Sequence, residues 1–465
     1  MRLVSVRLVS IGLVVRARVA FVWWIHYVKD VRVPVSPLAF AVMPPPTPQA
    51  PRRVIVIGAG AAGSMAAIFA AGAGAETILL ERTRDGGRKI LISGGGRCNV
   101  LPMHLDESRF VTDSSPNILR KMLRAWPLAE QIAFFETELQ LPLAEEPESS
   151  KLFPRSNKAR DVRDGLLAYA ARAGATLRMN TVVTGFAPVD GRWRVEFDNS
   201  TPVDADAVIV ATGGLSVPNT GSQGLGLREL ARLGHEMRPV YAALTPLTAT
   251  DSPFAELSGV SLRVTLSARH ELGGRSATAS GGFLFTHRGY SGPAVLDVSH
   301  VAVRSRAEPT VPPESARVAV QWTGLGAAEW EHALRPQGSR AVAGVLRAVL
   351  PDRLAAVLLT LANVDPTRLL AELRRDERAR LIGMLVAGPL PWSGDEGYQK
   401  AEVTGGGMNL GEVHPRTMES RRHPGLYICG EVLDAFGPVG GYNFFWAWAT
   451  GRAAGLGAAS GGVAR

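Results

Sequence analysis

Three glycines at fixed spacing and one acidic residue give the clearest indication of chemistry in this sequence. Gly58, Gly60 and Gly63 follow four β-branched residues as G-x-G-x-x-G, and a run of small residues comes next. Such glycines join a buried strand to a helix N-terminus, where backbone N–H groups approach a pyrophosphate. Glu81 ends the next apolar strand, where a carboxylate accepts hydrogen bonds from a ribose. Because Glu81 disfavours a 2′-phosphate, the stretch predicts FAD or NAD; a purely structural glycine turn is the alternative.

Further glycine-rich segments predict additional contacts with an extended cofactor. Residues 82–100 hold two glycine clusters among basic and amide side chains, so we expect a cofactor wrap without regular helix or strand; a flexible loop is the alternative. Residues 425–457 read as a short strand, glycines and a small-residue helix, which predicts an anion site at a helix N-terminus. A buried strand at 207–212, followed by two glycines, predicts a return to the nucleotide sheet.

The composition indicates a globular protein without a disulfide framework. The 465 residues are 46% hydrophobic and 20% charged, and Cys98 and Cys429 provide neither a disulfide set nor a set of metal ligands. We therefore expect a cytoplasmic location and no metal. The formal net charge is +9, of which residues 1–42 contribute +5, so the remainder has only a modest basic bias.

Residues 1–52 have a pattern of their own. Arg16, Arg18 and His26 interrupt the apolar residues, so the run of about 18 apolar residues expected of a membrane span is missing. A signal peptide carries its charges before its apolar core, whereas here the two are interleaved. We expect an N-terminal extension that is disordered or that precedes the true start of the protein at Met43, and no membrane association.

The character of the chain changes between residues 241 and 397. Residues 243–320 alternate and are rich in Thr, Ser and Gly, which predicts antiparallel strands, and residues 326–388 carry Leu, Ala and Arg at helical spacing. The sequence therefore predicts an α/β protein with a discontinuous nucleotide-binding domain at 53–240 and 398–465. Residues 241–325 would form an inserted β domain and residues 326–397 a helical subdomain.

Four stretches together resemble the BaiN/YhiN-like flavoproteins, a group of FAD-dependent oxidoreductases among the two-dinucleotide-fold flavoproteins. They are GAGAAG at 58–63, GRKILISGGGRCN at 87–99, FTHRGYSGPAVLDVS at 285–299 and GEVLDAFGPVGGYNFFWAWATG at 430–451. The likeness covers the chain from Arg53 to its C-terminus, and residues 1–52 have no counterpart. It implies a Rossmann-type FAD-binding domain with an inserted antiparallel β-barrel-like domain and a small helical domain, holding FAD non-covalently.

The resemblance also implies which residues contact FAD, with Glu81 on the adenosine ribose. The family often continues the Arg-Cys-Asn loop with Thr-Asn, whereas Val100 and Leu101 follow here, so the polar contacts expected after Asn99 are missing. The positions carried over are Gly58, Gly60, Ala61, Ala62, Gly63, Glu81, Arg88, Lys89, Ser93, Gly94, Gly95, Arg97, Asn99, Thr212, Gly213, Gly214, Gly430, Glu431, Asp434, Gly440, Gly441, Tyr442 and Asn443.

Members of the family are described as reducing C=C bonds conjugated to a carbonyl group. The implied substrates are uridine in large-subunit ribosomal RNA and the enone of an oxidised bile acid, with NADH or NADPH as a transient electron donor. Some relatives are labelled amine oxidases, and a flavin-binding redox sensor without turnover is a further alternative. Five arginines are compatible with an RNA backbone, although interleaved acids favour a solvated helix face. These are Arg368, Arg374, Arg375, Arg378 and Arg380.

Reduction of such a bond needs a hydride, a proton donor and polarisation of the carbonyl. Cys98 is a candidate catalytic residue, because Arg97 and glycine N–H groups beside it would lower the pKa of its thiol; a small buried filler is the alternative. His287, in a glycine-flanked loop, would face the flavin, unless it is a surface or structural histidine. Tyr290 and Tyr442 are further candidate donors, and Tyr442 also fits as a neighbour of the flavin.

Overall fold

The computed structural model describes residues 50–272, 274–307 and 315–461. The predictions about Met43 and about the N-terminal extension up to residue 49 fall outside these described residues.

The described residues form short strands and helices that alternate along the chain. The strands are β1 (Arg53–Ile57), β2 (Glu76–Leu80), β3 (Leu101–Pro102), β4 (Leu143–Glu146), β5 (Lys151–Pro154), β6 (Thr176–Arg178), β7 (Val183–Val189), β8 (Arg192–Phe197), β9 (Val203–Ala205), β10 (Ala207–Val210), β11 (Met237–Ala243), β12 (Leu247–Thr248), β13 (Ser261–His270), β14 (Ser276–Thr286), β15 (Gly289–Ser291), β16 (Ala316–Gln321), β17 (Gly388–Pro389), β18 (Gly394–Asp395), β19 (Val403–Met408) and β20 (Leu426–Ile428). The α-helices are α1 (Ala61–Gly72), α2 (Arg88–Ile92), α3 (Pro116–Leu123), α4 (Leu128–Ala133), α5 (Ala159–Arg172), α6 (Leu225–Arg232), α7 (Pro293–Ala307), α8 (Ala327–Ala333), α9 (Val342–Leu346), α10 (Asp352–Leu361), α11 (Arg375–Ala387) and α12 (Tyr442–Ser460).

A parallel sheet in the order β20-β10-β1-β2-β6 forms the centre of the nucleotide-binding part. The inner strands β1 and β10 are buried almost throughout, which explains their continuous apolar sequence. The crossover from β1 through α1 to β2 is the connection that two parallel strands require. The Rossmann-type architecture predicted from the glycine spacing is therefore confirmed.

Helices α1 and α12 pack against each other through small residues. A Cβ atom added at Gly451 would lie 2.4 Å from the carbonyl oxygen of Ala62, and one at Gly455 would lie 2.4 Å from that of Ala66. The missing side chains let the two helix backbones come into direct contact. The Gly and Ala content of both helices is thus a packing requirement, and it joins the C-terminal helix to the first dinucleotide helix.

The inserted part is built on a seven-stranded sheet in the order β17-β16-β13-β14-β15-β12-β18. All of its recorded strand pairs are antiparallel. Its edge strands β17 and β18 are separated by residues 390–393 alone, so the sheet must curl towards closure, as expected of a barrel-like domain. A core of aromatic rings, including Phe283, Phe285 and Trp322, lies against α7, and helices α8 to α11 complete the same hydrophobic core.

The two parts meet where β11 pairs antiparallel with β19. A small cluster of buried residues covers this junction, with Tyr241 and Val403 from the strand pair, Val303 from α7, and Phe436 from the C-terminal loop. The fold class predicted from the sequence, a Rossmann-type domain with an inserted antiparallel domain and a small helical part, is confirmed. The domain boundaries proposed above stay a prediction. Among the described helices, none is long and apolar enough to cross a membrane.

The close approach of α1 and α12 predicts that Gly451→Ala destabilises the protein. The added methyl group would collide with backbone atoms, which cannot rotate away, so we expect a loss of about 1–3 kcal/mol in the free energy of unfolding. Denaturant titration followed by circular dichroism measures this. In the matched control Gly383→Ala, on the exposed face of α11, the added atom would meet nothing within 4 Å. That variant should gain about 0.5–1 kcal/mol, and equal effects of the two substitutions would contradict the packing argument.

Candidate cofactor-binding site

A cavity of about 750 Å³ opens at the carboxyl ends of the parallel strands. Gly58 follows β1, residues 211–213 follow β10, and residues 429–431 follow β20; all of them line the cavity. Ligands of open α/β sheets bind at this edge, where the strand order reverses. The volume lies in the usual range for cofactor and ligand pockets, about 300–1,000 Å³.

The glycine turn after β1 is shaped by close backbone contacts. Gly58 has a φ of +105°, and a Cβ atom there would lie 2.6 Å from the carbonyl oxygen of Ala211. A Cβ atom at Gly63 would lie 1.8 Å from the carbonyl oxygen of Gly58, so α1 packs directly on the turn. Gly60 differs, because an added Cβ would meet no atom within 4 Å. The backbone at Gly60 is therefore open to the cavity, as a pyrophosphate would require.

Glu81 is buried on the cavity wall and is held by three hydrogen bonds. The backbone N–H of Ala59 donates to Oε2 at 2.9 Å, and the N–H and hydroxyl of Thr83 donate to Oε1, each at 2.8 Å. An ionised carboxylate has about four acceptor positions, so one remains for a ligand hydroxyl. Glu81 thus links the glycine turn to the segment after β2. It also retains one acceptor position for the predicted hydrogen bond with the ribose.

The glycine loop after β2 contains a short helix, which corrects the expectation that residues 82–100 hold no helix. Helix α2 takes the five residues between the glycine clusters. Gly87, at its N-terminus, has a φ of +57°, and the following turn passes through Gly94 and Gly95 with φ values of +55° and +67°. The left-handed glycines bracket the helix instead of preventing it. As a result, Lys89 points from a helix rather than from an irregular loop.

Lys89 forms a polar cluster with Glu431, Ser216 and Thr404 at the cavity wall. Its Nζ lies 2.5 Å from Oε2 of Glu431 and also contacts the Ser216 hydroxyl. The other carboxylate oxygen, Oε1, accepts from the Ser216 hydroxyl at 2.6 Å and from the Thr404 N–H at 2.9 Å. Burial disfavours the charged form of Glu431, but Lys89 and these donors hold its pKa below the ordinary value. Glu431 is therefore an anion, compensated by Lys89.

The structure brings most of the predicted cofactor contacts to this one cavity. The predicted residues that line it are Gly58, Gly60, Ala61, Ala62, Glu81, Arg88, Lys89, Ser93, Asn99, Thr212, Gly213, Gly430, Glu431, Gly440, Gly441 and Asn443. The predicted residues that are absent from its lining are Gly63, Gly94, Gly95, Arg97, Gly214, Asp434 and Tyr442. Direct contact with FAD stays a prediction for both groups, and the second group lies outside the lining of the cavity.

Asp434 and Arg97, both in the second group, are engaged by other residues of the protein. Asp434 accepts hydrogen bonds from the hydroxyl groups of Thr112 and Ser114, which ties the loop before α3 to the C-terminal glycine segment. Arg97 pairs with Glu146 at 2.8 Å, and its guanidinium lies 4.0 Å from the centre of the Phe153 ring. Both side chains are committed to protein partners, so they position loops around the cavity.

The structure does not bring the candidate proton donors to the cavity lining. Cys98 is fully buried, and burial raises the pKa of its thiol to about 12 against a weaker opposite effect of Ser93. The expected lowering of this pKa is therefore wrong, because desolvation outweighs the neighbouring charge and N–H groups. Tyr442 is buried, and its hydroxyl donates to the carbonyl of His104 at 3.2 Å. His287 is exposed in the turn between β14 and β15.

Tyr290 is also occupied away from the cavity. Its hydroxyl lies 2.8 Å from that of Ser252 within the core of the inserted part, and burial raises its pKa to about 12. These side chains were candidate donors because of their neighbours in sequence. In the folded chain, Cys98, Tyr290 and Tyr442 are buried and His287 is exposed, all outside the cavity lining.

Sequence reasoning missed several segments of the cavity wall. Residues 181–184 line the cavity around the start of β7. Several residues between 217 and 228 line it after β10. Residues 399–403 line it just before β19 and at the first residue of that strand. Phe436 and Phe444 add aromatic surface near the C-terminal glycines. None of these segments has a recognisable spacing, and the chain positions them through long-range strand pairing.

We predict that Gly60→Val abolishes tight FAD binding and leaves the fold intact. An added Cβ atom at Gly60 would meet no protein atom within 4 Å, so the branched side chain of valine would extend over the turn into the space that a pyrophosphate needs. We expect FAD affinity to fall at least about 100-fold, which corresponds to about 2.7 kcal/mol, with a change in unfolding free energy below about 1 kcal/mol. Fluorescence titration of the flavin-free protein measures the affinity. Gly72→Val, at the end of α1 and away from the cavity lining, should bind FAD as the wild type does. Equal affinities of all three proteins would place the pyrophosphate elsewhere.

We further predict a strong energetic coupling between Lys89 and Glu431. Their pair is partly buried, so removing one partner leaves the other charge uncompensated. A double-mutant cycle with Lys89→Met and Glu431→Gln, measured by denaturant unfolding of flavin-free protein, should give a coupling of about 1.5–3 kcal/mol. The exposed pair Arg53–Glu76, at 3.0 Å, is the control and should give about 0–1 kcal/mol. A coupling at Lys89–Glu431 no larger than in the control would show that the cluster does not stabilise the fold.

Comparisons with known proteins agree with this architecture. The family model described as HI0933-like protein Rossmann domain matches residues 52–457. The ribosomal RNA dihydrouridine synthase of Escherichia coli is 32% identical over 404 residues, covering 85% of this chain and 95% of that protein. The enzyme of that name from Haemophilus influenzae is 31% identical, covering 86% and 97%. The 3-dehydro-bile acid delta(4,6)-reductase of Clostridium scindens is 31% identical, covering 88% and 99%. The resemblance to the BaiN/YhiN-like flavoproteins is confirmed, and the chain belongs to the HI0933-like Rossmann family of FAD-dependent oxidoreductases.

Proposed function

We propose that this protein is a reductase that adds hydrogen across a C=C bond conjugated to a carbonyl group. The observation that carries the proposal is the single cavity that joins the dinucleotide turn, the Lys89–Glu431 cluster and the C-terminal glycines. A site assembled from three glycine-rich segments suits an extended flavin dinucleotide better than a short nucleotide.

The residues around the cavity fit FAD. Glu81 would accept a ribose hydroxyl, the open backbone at Gly60 would face the pyrophosphate, and the N-terminus of α12 at Gly441 would face the far end of the cofactor. When bound, FAD supplies hydride chemistry to a substrate. The protein contributes a fixed site, apolar walls such as Phe436 and Phe444, and polar groups that orient the reactants.

The reactions named for the relatives favour reduction of a conjugated C=C bond. A dihydrouridine synthase saturates the C5=C6 bond of uridine, which is conjugated to a ring carbonyl, and a bile acid delta(4,6)-reductase acts on a 3-oxo steroid with conjugated double bonds. Both reactions add a hydride to the β-carbon and a proton to the α-carbon. We propose NADH or NADPH as the transient electron donor and uridine of large-subunit ribosomal RNA as the first candidate substrate.

The surface of the helical part is a weaker candidate for an RNA contact than the cavity. Four of the five arginines that are compatible with an RNA backbone have carboxylate partners: Arg368 and Arg374 pair with Glu377 at 3.1 and 3.0 Å, Arg380 pairs with Asp376 at 2.9 Å, and Arg378 pairs with Glu331 at 3.0 Å. Three carboxylates thus compensate most of the charge of these four arginines. An RNA substrate would therefore be recognised at the cavity mouth, where Arg82, Arg228 and Lys400 contribute to the lining.

We predict that NADH or NADPH bleaches the flavin of the full-length holoenzyme under anaerobic conditions. Stripped ribosomal RNA should then restore the oxidised flavin spectrum and acquire dihydrouridine, which mass spectrometry detects. The matched control is Gly60→Val, which should show neither response because it does not retain FAD. Failure of both nicotinamides to bleach the flavin would favour a redox sensor over a reductase.

The substrate is tested separately from the electron donor. Ribosomal RNA from a strain lacking the gene should lose dihydrouridine at one position of the large subunit. Unchanged dihydrouridine would reject the RNA substrate, and reoxidation of the reduced enzyme by 2-cyclohexen-1-one would then favour a small enone. Flavin reduction by a primary amine without any nicotinamide would instead favour an amine oxidase.

A further inference from the structure

Three glutamates line the cavity, and they differ in how the protein engages them. Glu81 accepts three hydrogen bonds, and Glu431 is paired with Lys89 and bonded to Ser216. For the carboxyl group of Glu402, the described residues provide no donor within hydrogen-bond distance. Two of the three acids are thus fixed by protein groups, and Glu402 is available to a molecule in the cavity.

The backbone of Glu402 is held firmly although its carboxyl group is not. Glu402 directly precedes β19, and its N–H donates to the carbonyl of Leu244 at 3.1 Å, which extends the pairing of β11 with β19. The flanking residues Ala401 and Val403 are buried and share the cavity wall. The Glu402 side chain is exposed, and because the residue lines the cavity, this exposure is towards the cavity. Protein atoms around the cavity still partly desolvate its carboxyl group. Strand pairing therefore fixes where the carboxyl group can reach.

Two lysines and one acid contribute to the electrostatics at Glu402. Burial raises the pKa of its carboxyl group, and Lys151 and Lys89 oppose this with a smaller effect. Asp297, on α7, lies close enough that Glu402 contributes to the raising of its pKa, which burial takes to about 6. A carboxyl group in such surroundings keeps its proton to a higher pH than one in water, and acids that donate protons near neutral pH are tuned in this way.

We propose that Glu402 is the general acid of this enzyme and protonates the α-carbon of the conjugated substrate. The proposal rests on the proposed reductase function and names the proton source for it. Glu402 takes the role that the sequence suggested for Cys98, His287 or Tyr442, none of which is in the cavity lining.

The proton and electron balance of the step is simple. FAD held by Glu81, the Gly60 turn and the N-terminus of α12 would supply, after its reduction by NADH or NADPH, the hydride for the new C–H bond at the β-carbon. The π electrons of the C=C bond shift to the α-carbon and the carbonyl oxygen. The O–H bond of Glu402 then breaks, its proton bonds to the α-carbon, and the carboxylate that remains is reprotonated from solvent through the cavity mouth. The substrate thus gains two electrons and one hydrogen nucleus with the hydride, and one further proton from Glu402.

The test compares the two half-reactions of holoenzyme carrying Glu402→Gln, which keeps the shape and removes the proton. Flavin bleaching by NADPH should stay within about twofold of the wild type, since that step needs no substrate proton. Anaerobic reoxidation by 2-cyclohexen-1-one or by stripped ribosomal RNA should slow by about 10²- to 10⁴-fold. The wild-type rate should fall as pH rises and Glu402 ionises, and the variant should lose this dependence. The control Glu256→Gln, exposed and outside the cavity lining, should match the wild type in both half-reactions.

A second measurement reports on Glu402 without turnover. Because the pKa of Glu402 is raised in the folded protein, its contribution to stability is full below its unfolded pKa and is lost as pH rises through the folded value. Glu402→Gln does not titrate, so the stability of flavin-free variant relative to wild type should increase between about pH 4 and pH 8. Glu256→Gln should show no such trend.

The possible outcomes distinguish a failure of the acid role of Glu402 from a failure of the proposed reductase function. Rapid reoxidation of both wild type and Glu402→Gln, or a flat stability difference across the pH range, would overturn the role of Glu402 and leave the reductase function standing. If neither probe reoxidises the wild type, the reductase function is overturned, and the acid role falls with it. Slow reoxidation of the variant alone, with loss of the pH dependence, supports both.

Discussion

The contact between Lys89 and Glu431 is the interaction on which the cavity depends. It joins residues 342 positions apart in the chain, and Ser216 and Thr404 bring in two further segments. A partly buried carboxylate without a cation would be costly, so the glycine loop and the C-terminal strand must meet in this register for Glu431 to ionise. The parts of the cavity wall that these segments form are therefore held in place relative to one another without a ligand.

The space for a ligand comes largely from side chains that are absent. Gly63 and Gly451 let backbones touch where even a methyl group would collide, which draws α1 towards both the turn after β1 and helix α12. Gly60 has the opposite environment, with nothing above it. Glycine thus permits close backbone packing at Gly63 and Gly451 and leaves open space at Gly60. The G-x-G-x-x-G spacing identifies Gly60 and Gly63 but not Gly451, and only the folded contacts show which glycine faces the cavity.

The sequence predicted what local pattern and physical chemistry determine. The apolar strand, the glycine turn and Glu81 stand where the spacing placed them, and most of the predicted contacts share one cavity. Apart from the short helix α2, which local glycines permit, the errors have a common origin, because they concern surroundings created by distant residues. Cys98 was judged by its neighbours in sequence, yet desolvation by the packed core decides its pKa. The segment at 399–403 has no distinctive spacing, and it reaches the cavity only through the pairing of β19 with β11.

Under the proposed function, that pairing separates the cofactor half of the cavity from the segment that would select the substrate. The nucleotide half of the cavity is built from turns whose glycines and acid are dictated by the shape of a dinucleotide. The other half receives the segment that leads back from the inserted part, and strand pairing holds its backbone without constraining its side chains. Side chains such as Gln399 and Lys400 can therefore change without disturbing the sheet, whereas the proposed acid Glu402 would be retained. Relatives of this chain that are 31–32% identical carry names for an RNA and for a steroid reaction, as expected when substrate choice lies in such a segment. A fixed strand that presents variable side chains to a fixed cofactor site lets the chemistry persist while the substrate changes.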